Sequence, residues 1–359
     1  MNTYLKDLIE IPSVSTNIAA NKQAVDYMQT FLTERGLFCE RFTFSEHDAL
    51  VATTKKGNKR PKVLLAVHID VVPAPPEMFA LTERDGKYYG RGVFDMKFAA
   101  ASYMEAIDLL GDDVHTLDIG IMVTTEEEMG GLEGVAQLVD LGYLPEVVIL
   151  PDGAHDWQIE TLAKGFLYSK VEVTGKAAHG SKPWDGDSAT YKLLDFLQEL
   201  RAFFSEQTLH SNTLNIGMLE GGAAKNQIPP YASASLDIRF ISPDEKRKIE
   251  VRINELCAKY GAVYTEEPLR GAPCINSLSD PLIAPFIDSI RSVVGIDSSG
   301  TISTGASDAR FFAEKGIPAI ICRPAGGGQH ADGEWIDKAG YEQYAHVLVD
   351  YLQKVARSQ

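Results

Sequence analysis

A histidine and an aspartate, two residues apart, follow a strongly apolar run in the first quarter of the chain. The run is residues 63–67, and His68 and Asp70 come directly after it. An apolar run bounded by polar residues and prolines is typical of a central strand in a parallel sheet. Because side chains alternate along a strand, the two residues share a face, where an imidazole can bind a metal ion while a carboxylate holds its other nitrogen. A hydrogen-bonded polar turn is the simpler interpretation of this pair alone.

Further carboxylates also come directly after apolar segments. Glu126, Glu127 and Glu128 follow a second alternating apolar segment, and Asp152 follows a third. A solvated acidic turn would explain the three glutamates. A buried cluster of like charges, however, is costly unless a cation neutralises it.

An aspartate and a second histidine lie in glycine-containing loops. Asp95 follows Gly90 and Gly92 and precedes a stretch of small apolar residues, where an aspartate commonly caps the start of a helix. His330 comes soon after three consecutive glycines, and a lone loop histidine is otherwise an ordinary surface residue. The glycines leave each backbone free to bring its side chain to the edge where the strands end.

Two histidines and several carboxylates form a mixed nitrogen and oxygen ligand set. Such a set suits zinc, tolerates manganese or cobalt, and contains too much nitrogen for calcium. It has too many members for one tetrahedral zinc, so we expect two metal ions about 3.5–4 Å apart that share a carboxylate. One carboxylate then remains free to act as a base.

The segments that must position these residues alternate between strand and helix patterns. Helical spacing predicts a surface helix over 17–35 and a buried helix over 98–110. Apolar or alternating runs predict core strands at 63–67, 118–125, 147–150 and 318–322. This order predicts an α/β fold with a mixed, largely parallel sheet flanked by helices, and ligands at the carboxyl ends of its strands.

The pattern changes between Lys164 and about Arg270. Half-exposed strands and two helices are predicted there at 166–173, 188–204, 213–218, 231–240, 244–260 and 262–265. The order strand, helix, two strands, helix, strand predicts an inserted ferredoxin-like α+β domain. We therefore expect a first domain in two parts, 1–163 and 272–359, with the insertion at 164–271.

Composition excludes several classes of protein. The 359 residues are 45% hydrophobic, which suffices for a full core, and the net charge of -16 without a Lys/Arg cluster argues against a nucleic-acid partner. The sequence contains no apolar stretch long enough for a bilayer and no signal-peptide pattern, so we expect no membrane association. Four widely spaced cysteines favour a reduced, cytoplasmic setting.

Short motifs follow one another in a specific order: His68-Ile-Asp70-Val-Val-Pro73, Gly90-Arg-Gly-Val-Phe-Asp95-Met-Lys97, Thr125-Glu-Glu-Glu128-Met-Gly130, Pro151-Asp152, Ala178-His179-Gly180-Ser181-x-Pro183, Gly221 through Asn226-Gln-Ile-Pro229, Asp237-Ile-Arg239-Phe240, and the glycine-rich approach to His330. They resemble the family of co-catalytic di-zinc amidohydrolases and peptidases. This family includes acetylornithine deacetylase, succinyl-diaminopimelate desuccinylase, aminoacylase, carboxypeptidase G and cytosolic dipeptidases. The resemblance covers nearly the whole chain.

The resemblance implies a zinc-peptidase-type fold that holds two zinc ions. Asp95 would bridge the two ions. His68 and Asp152 would complete one site, and Glu128 and His330 would complete the other.

The resemblance also implies roles for residues that bind no metal. Asp70 would orient the imidazole of His68. Glu127 would act as general base: it would take a proton from a metal-bridging water that attacks the scissile amide carbonyl, then give that proton to the leaving amine. The peptide bond between Asp95 and Met96 is expected to be cis.

For the inserted domain, the resemblance implies substrate binding and pairing of two chains. His179, Asn226 and Arg239 would bind the oxyanion and a substrate carboxylate, although an ordinary ion pair on a strand surface is the simpler interpretation of Arg239. In dimeric members, this lid or dimerisation domain mediates pairing, and its histidine reaches the partner's active site. A homodimer is therefore expected.

Two departures from the family pattern bear on the substrate. Glu126 stands where many members have an aspartate, a conservative change. At Asp152, deacylases often have glutamate and peptidases aspartate, which favours a small, carboxylate-bearing peptide such as a dipeptide. An N-acyl-amino-acid deacylase is the alternative activity. A non-catalytic metal-binding scaffold is a third interpretation, but such a protein is expected to have lost Glu127 or a ligand.

Overall fold

The computed structural model describes residues 3–357. The chain divides into two compact units. The first contains residues 3–161, 274–301 and 307–357, and the second contains residues 162–273 and 302–306. The insertion was expected at 164–271, and the second unit also includes a short separate piece that no sequence pattern indicated.

Helices cover the sheets of both units. In chain order they are α1 (Thr3–Glu10), α2 (Ile18–Glu34), α3 (Lys97–Leu110), α4 (Val135–Asp140), α5 (Ala189–Phe203), α6 (Pro243–Tyr260), α7 (Ala284–Val294), α8 (Ala309–Ala313) and α9 (Lys338–Val355). The small residues of α3 are buried along almost its whole length, and α1 and α9 both pack against it. The predicted buried helix is therefore the central helix of the first unit.

Six strands form the central sheet of the first unit. In spatial order they are β1 (Phe38–Phe44), β2 (His47–Thr53), β6 (Ile119–Thr124), β3 (Val63–His68), β7 (Val147–Ile149) and β15 (Ala319–Ile320). The last four run parallel, and β1 and β2 form an antiparallel hairpin that continues the sheet. Every residue of β3, β6 and β7 is buried, as expected for continuous apolar strands covered on both faces.

The second unit contains a four-stranded antiparallel sheet. Its spatial order is β10 (Thr213–Gly221), β11 (Tyr231–Phe240), β9 (Gly165–Thr174) and β12 (Ala262–Gly271). Alternate residues of β9 and β11 are buried against α5 and α6, and together they form a separate hydrophobic core. The connections follow the predicted ferredoxin-like order.

Two small sheets complete the architecture. In the first unit, an antiparallel sheet has the order β16 (Gly326–Gly327), β17 (Trp335–Asp337), β5 (Lys87–Tyr89) and β4 (Thr82–Arg84). The strands β13 (Cys274–Ile275), β8 (Ile159–Ala163) and β14 (Gly300–Ser303) form another, where the chain passes from one unit to the other.

The predicted fold class is confirmed: a mixed, largely parallel sheet flanked by helices carries an inserted ferredoxin-like domain. The strand expected at 318–322 is shorter and pairs only over Ala319–Ile320. Within residues 3–357, every helix is too short or too polar to cross a membrane. The four cysteines are free.

Candidate active site

Three neighbouring strands carry site residues at one edge of the central sheet. His68 is the last residue of β3, the glutamates follow β6, and Asp152 lies just beyond β7. Both β6 and β7 pair in parallel with β3, and His68 is aligned with Thr124 at the end of β6. Because parallel neighbours end side by side, these side chains converge.

The converging side chains form two groups of three. Ligand atoms lie within 4.8 Å of one another in each of the groups His68, Glu127, Asp152 and Asp95, Glu128, His330. Asp95 lies between the two histidines, with Oδ1 3.4 Å from His68 Nε2 and Oδ2 3.1 Å from His330 Nε2. His330 Nε2 is also 3.1 Å from Glu128 Oε2. One carboxylate thus reaches both groups, as a bridging ligand must.

Asp70 orients the ring of His68 and also the turn that carries the glutamates. The Nδ1 atom of His68 lies 3.0 Å from the backbone oxygen of Asp70, so Nδ1–H donates and Nε2 keeps its lone pair. The carboxylate of Asp70 accepts hydrogen bonds from the Ser15 hydroxyl at 2.8 Å and from the backbone N–H groups of Glu127 at 3.3 Å and Glu128 at 3.2 Å. Asp70 therefore aligns members of both groups, which goes beyond the role that the resemblance implied.

Asp95 reaches the site from a tight loop. Gly92 has a φ of +82°, and the Asp95–Met96 peptide bond is cis, as expected. The N-cap of α3 is Met96, which makes no side-chain cap hydrogen bond, so Asp95 is not the helix cap. Instead, its Oδ2 accepts a hydrogen bond from Gln329 Nε2 at 2.6 Å.

The donor atoms of the two groups fit divalent metal ions. His68 Nε2 and Asp95 Oδ1 are buried and have no hydrogen-bond partner. Leaving such groups unsatisfied costs about 1–3 kcal/mol each, and a metal ion is a partner that uses both lone pairs. Two imidazole nitrogens with carboxylate oxygens suit zinc, with cobalt or manganese as alternatives.

Burial and like charge control the titration of these residues. Burial and the charge of Asp95 raise the pKa of Asp152 to about 7. Burial and the charge of Asp152 raise the pKa of Glu127 well above its ordinary value. Burial acts in the same direction on Asp95, but the neighbouring imidazoles of His330 and His68 outweigh it and lower the pKa of Asp95 well below its ordinary value. Since ligands bind metal in their deprotonated form, protons would compete with metal ions bound at this site.

Comparison with known proteins identifies the family. The sequence profile of peptidase family M20/M25/M40 matches residues 64–354, which include all six members of the two groups. The chain belongs to peptidase family M20/M25/M40. The predicted relationship to the co-catalytic metallopeptidases and amidohydrolases is thereby confirmed, and the chain is an M20 hydrolase.

Curated relatives and solved structures cover the M20 chain almost completely. A succinyl-diaminopimelate desuccinylase from Hahella chejuensis is 28% identical over 96% of this chain and 95% of its own length. The enzyme of the same name from Delftia acidovorans is 24% identical over 99% of this chain and 97% of its own length. A Staphylococcus aureus tripeptidase structure has a TM-score of 0.78 at 20% identity over 99% and 97% of the two chains. The structure of the Bacillus cereus aminopeptidase PepT has a TM-score of 0.77 at 19% identity, over 98% of this chain and 96% of that chain. These structures share the fold of this M20 chain.

Buried charged residues outside the recognised motifs hold the loops of the M20 site. Glu160 accepts a hydrogen bond from the backbone N–H of Ala154 at 3.1 Å, two residues after Asp152. Arg310 donates to the backbone oxygen of Gly130, in the turn that follows the glutamates. Sequence reasoning missed both because each acts through a backbone atom, which is six residues away for Glu160 and 180 residues away for Arg310. For Arg310, the available signal was a charged residue among Ala309, Phe311 and Phe312.

Two of the three residues expected to bind substrate lie on neighbouring segments of the second unit. His179 pairs with Gln227 in an isolated β-bridge, and Gly180 N–H donates to the backbone oxygen of Asn226 at 2.7 Å. His179 and Asn226 are exposed, and His179 Nδ1 lies 2.8 Å from the Ser181 hydroxyl. The second unit therefore brings these two residues together at its surface.

Arg239, the third of these residues, lies on β11 of the same unit. Its Nε donates to Asp237 at 2.8 Å, and its Nη2 donates to the Tyr168 hydroxyl at 3.2 Å. The ion pair of the simpler interpretation is thus present. The half-buried guanidinium is also held in a fixed direction by these contacts.

Proposed function

We propose that this M20 chain is a di-metal hydrolase that cleaves an amide or peptide bond in a small carboxylate-bearing substrate, such as a dipeptide. The observation that carries the proposal is the position of Asp95 between His68 and His330, with one carboxylate oxygen toward each group. A single carboxylate shared in this way suits two adjacent ions. His68 and Asp152 would hold one ion, and Glu128 and His330 would hold the other.

Glu127 is the proposed general base. Bound metal ions would supply Lewis-acid polarisation of the scissile carbonyl and lower the pKa of a water nucleophile. Glu127 then takes a proton from the attacking water and returns it to the nitrogen of the leaving amine. Glu127 also lies within the first group, so its carboxylate is close to the proposed reaction.

The second unit supplies the proposed contacts to the rest of the substrate. His179 and Asn226 would donate hydrogen bonds to the developing oxyanion. Arg239 would bind the substrate carboxylate through the part of its guanidinium that Asp237, which accepts from Nε and Nη2, leaves open. The fixed direction of Arg239 beside Tyr168 supports this assignment.

A deacylase of N-acyl amino acids is the second candidate function. The curated relatives named succinyl-diaminopimelate desuccinylase support it, at 24–28% identity over nearly the full chain. The aspartate at 152 is the observation that favours a peptide. A non-catalytic scaffold is disfavoured, because Glu127 and all five proposed ligands are present.

We also propose that two chains pair through the second unit. Met218 and Leu219 on β10 are 59% and 55% exposed, and Tyr191 and Leu194 on α5 are exposed as well. β10 is an edge strand of its sheet, and an open edge can pair with the same edge of a second copy. A cytoplasmic homodimer is thus part of the proposal.

Hydrolysis by the zinc-loaded protein tests the proposed activity. The substrates are a panel of dipeptides beside N-succinyl and N-acetyl amino acids, with the Glu127→Ala variant as a control for contaminating hydrolases. We expect wild-type protein to cleave dipeptides best. Preference for N-acyl amino acids would establish the second candidate, and no cleavage of either class would contradict the proposal.

A further inference from the structure

Glu334 is a buried carboxylate with both oxygens fully used. Its Oε1 accepts the backbone N–H groups of Phe94 at 2.8 Å and Asp95 at 2.9 Å. Its Oε2 accepts the backbone N–H of Gly92 at 2.9 Å and the guanidinium of Arg91 at 2.6 Å. Four donors from one loop therefore converge on a side chain that has no exposed surface.

The pairing of β5 with β17 explains how Glu334 comes to this loop. Tyr89 is aligned with Trp335, so the chain that leaves β5 faces the residue that precedes β17. The backbone N–H of Gly90 donates to the backbone oxygen of Glu334 at 3.3 Å. Glu334 is thereby anchored by its main chain, and its side chain extends along the loop that ends at Asp95.

Arg91 extends this connection to the loop that carries His330. Its Nη1 donates to Glu334, and its Nη2 donates to the backbone oxygen of Ala331 at 3.3 Å. Arg91 is only 1% exposed. A buried ion pair is weak evidence for stability, because the cost of desolvation offsets the attraction between the charges. The contacts of this pair join the loops of Asp95 and His330. Alignment of those two loops therefore explains the buried ion pair better than a contribution to stability does.

We infer that Glu334 is a positioning residue of the metal centre: it fixes the backbone of residues 92–95 and so the direction in which Asp95 projects. The inference rests on the proposed metal centre. Asp95 faces both histidines, so a change in its direction weakens both metal sites at once. His330, in contrast, belongs to one group.

The test is zinc binding by the full chain with Glu334→Gln. Glutamine keeps the size of the side chain but replaces one acceptor oxygen with an NH₂ group, which opposes two of the four donors. Metal-free protein is titrated with zinc against a chromophoric chelator. We expect both zinc dissociation constants to rise about 10–100-fold, the range typical of partners that orient metal ligands. The variant His330→Ala is expected to lose one zinc ion and to keep the other near wild-type affinity.

Glu105→Gln is the matched control. Glu105 is a half-buried carboxylate of the same unit that accepts a hydrogen bond from the Tyr341 hydroxyl at 2.5 Å. A change of buried charge can lower the thermal midpoint of the metal-free protein in either variant. Only Glu334→Gln should also weaken zinc binding and shift the visible absorption of the cobalt-loaded protein, since these signals report the ligand geometry.

Each outcome bears on a different claim. If wild-type protein binds two zinc ions and Glu334→Gln binds them equally well with an unchanged cobalt spectrum, the positioning role is wrong and the proposed function stands. If wild-type protein binds no zinc, the proposed function and this inference both fail. If Glu334→Gln does not fold, Glu334→Asp decides: aspartate keeps the negative charge but is one methylene too short to hold the N–H groups of Gly92, Phe94 and Asp95 together. Weaker binding of both ions in Glu334→Asp supports the role, and unchanged binding overturns it.

Discussion

The two units present their functional residues in opposite ways. In the first, the proposed ligands His68 and Asp95 are buried, at 3% and 4% exposed, and hydrogen bonds hold them from the protein side, although the proposed ligand His330 is exposed. In the second, His179 and Asn226 are exposed at its surface. A buried polar group must find its partners when the protein folds, since leaving it unpaired is costly. An exposed group can still acquire a partner when substrate binds. Folding thus sets the geometry of the proposed metal site, whereas substrate binding sets the remaining contacts.

Glu127→Ala is expected to give the largest effect, because it removes the proposed general base from the site in the first unit. We predict that kcat falls at least about 10²–10⁴-fold while both zinc ions are retained. Steady-state kinetics and elemental analysis measure the two quantities, with Glu133→Gln in the same turn region as a control. Loss of a zinc ion would instead make Glu127 a ligand, and near wild-type activity would exclude it as base.

His179→Ala tests the exposed side. Removing one donor to an oxyanion lowers kcat about 10²–10³-fold. If His179 acts on the active site of the partner chain, mixing His179→Ala with Glu127→Ala chains under subunit exchange restores activity in one site of each heterodimer. The His179→Ala chain keeps its base and receives an intact histidine from its partner. Heterodimers that form and remain inactive would show that His179 does not act in trans.

His330→Ala removes one ligand and should leave the opposite group intact. We predict the loss of about one equivalent of zinc, because Asp95 and Glu128 alone hold an ion poorly. Elemental analysis of dialysed protein gives the stoichiometry. A variant that still holds two equivalents would return His330 to the role of an ordinary loop residue.

The smallest expected effect is a pair of opposite pH dependences, measured as urea midpoints of the metal-free protein. In the first unit, burial raises the pKa of Glu105 from 4.5 to about 7, so the stability it contributes is complete below pH 4.5 and is lost as the pH rises to 7. In the second unit, hydrogen bonds from Lys259 and Tyr260 lower the pKa of Glu199 from 4.5 to about 2, so its contribution is present above pH 4.5 and is lost as the pH falls to 2.

Glutamine variants separate these two contributions. Glu105→Gln should become more stable relative to wild type between pH 4.5 and 7. Glu199→Gln should be less stable than wild type at pH 7, and the difference should shrink toward pH 2. Parallel pH profiles for the two variants would show that the two units do not differ in this respect.

The sequence predicted what local periodicity controls. The apolar runs before His68 and Asp152 predicted neighbouring strands, because a buried parallel strand needs apolar residues on both faces. The alternating segments of the second unit predicted the ferredoxin-like order for a similar reason. The convergence of site residues at the strand ends then followed from topology, and the individual roles came from the family motifs.

The sequence could not predict the features that depend on hydrogen bonds to backbone groups far away in the chain. Glu334 binds the N–H groups of Gly92, Phe94 and Asp95, and an N–H group has no signature in a sequence. The second bond of Arg91 to Ala331 is equally remote in the chain. The place of residues 302–306 in the second unit could not be predicted either, since only the folded chain shows their neighbours.

The order of the site residues along the chain also determines the order in which they are synthesised. Strand β15 of the central sheet and the proposed ligand His330 come after the second unit in the chain, whereas the proposed ligand Glu128 precedes that unit. About 200 residues separate the two ligands, so a ribosome adding 5–20 residues per second needs roughly 10–40 s between them. The sheet and core of the second unit are synthesised during that interval, so they are complete before the chain contains His330. The proposed second metal site is therefore expected to become complete only late in the synthesis of the protein.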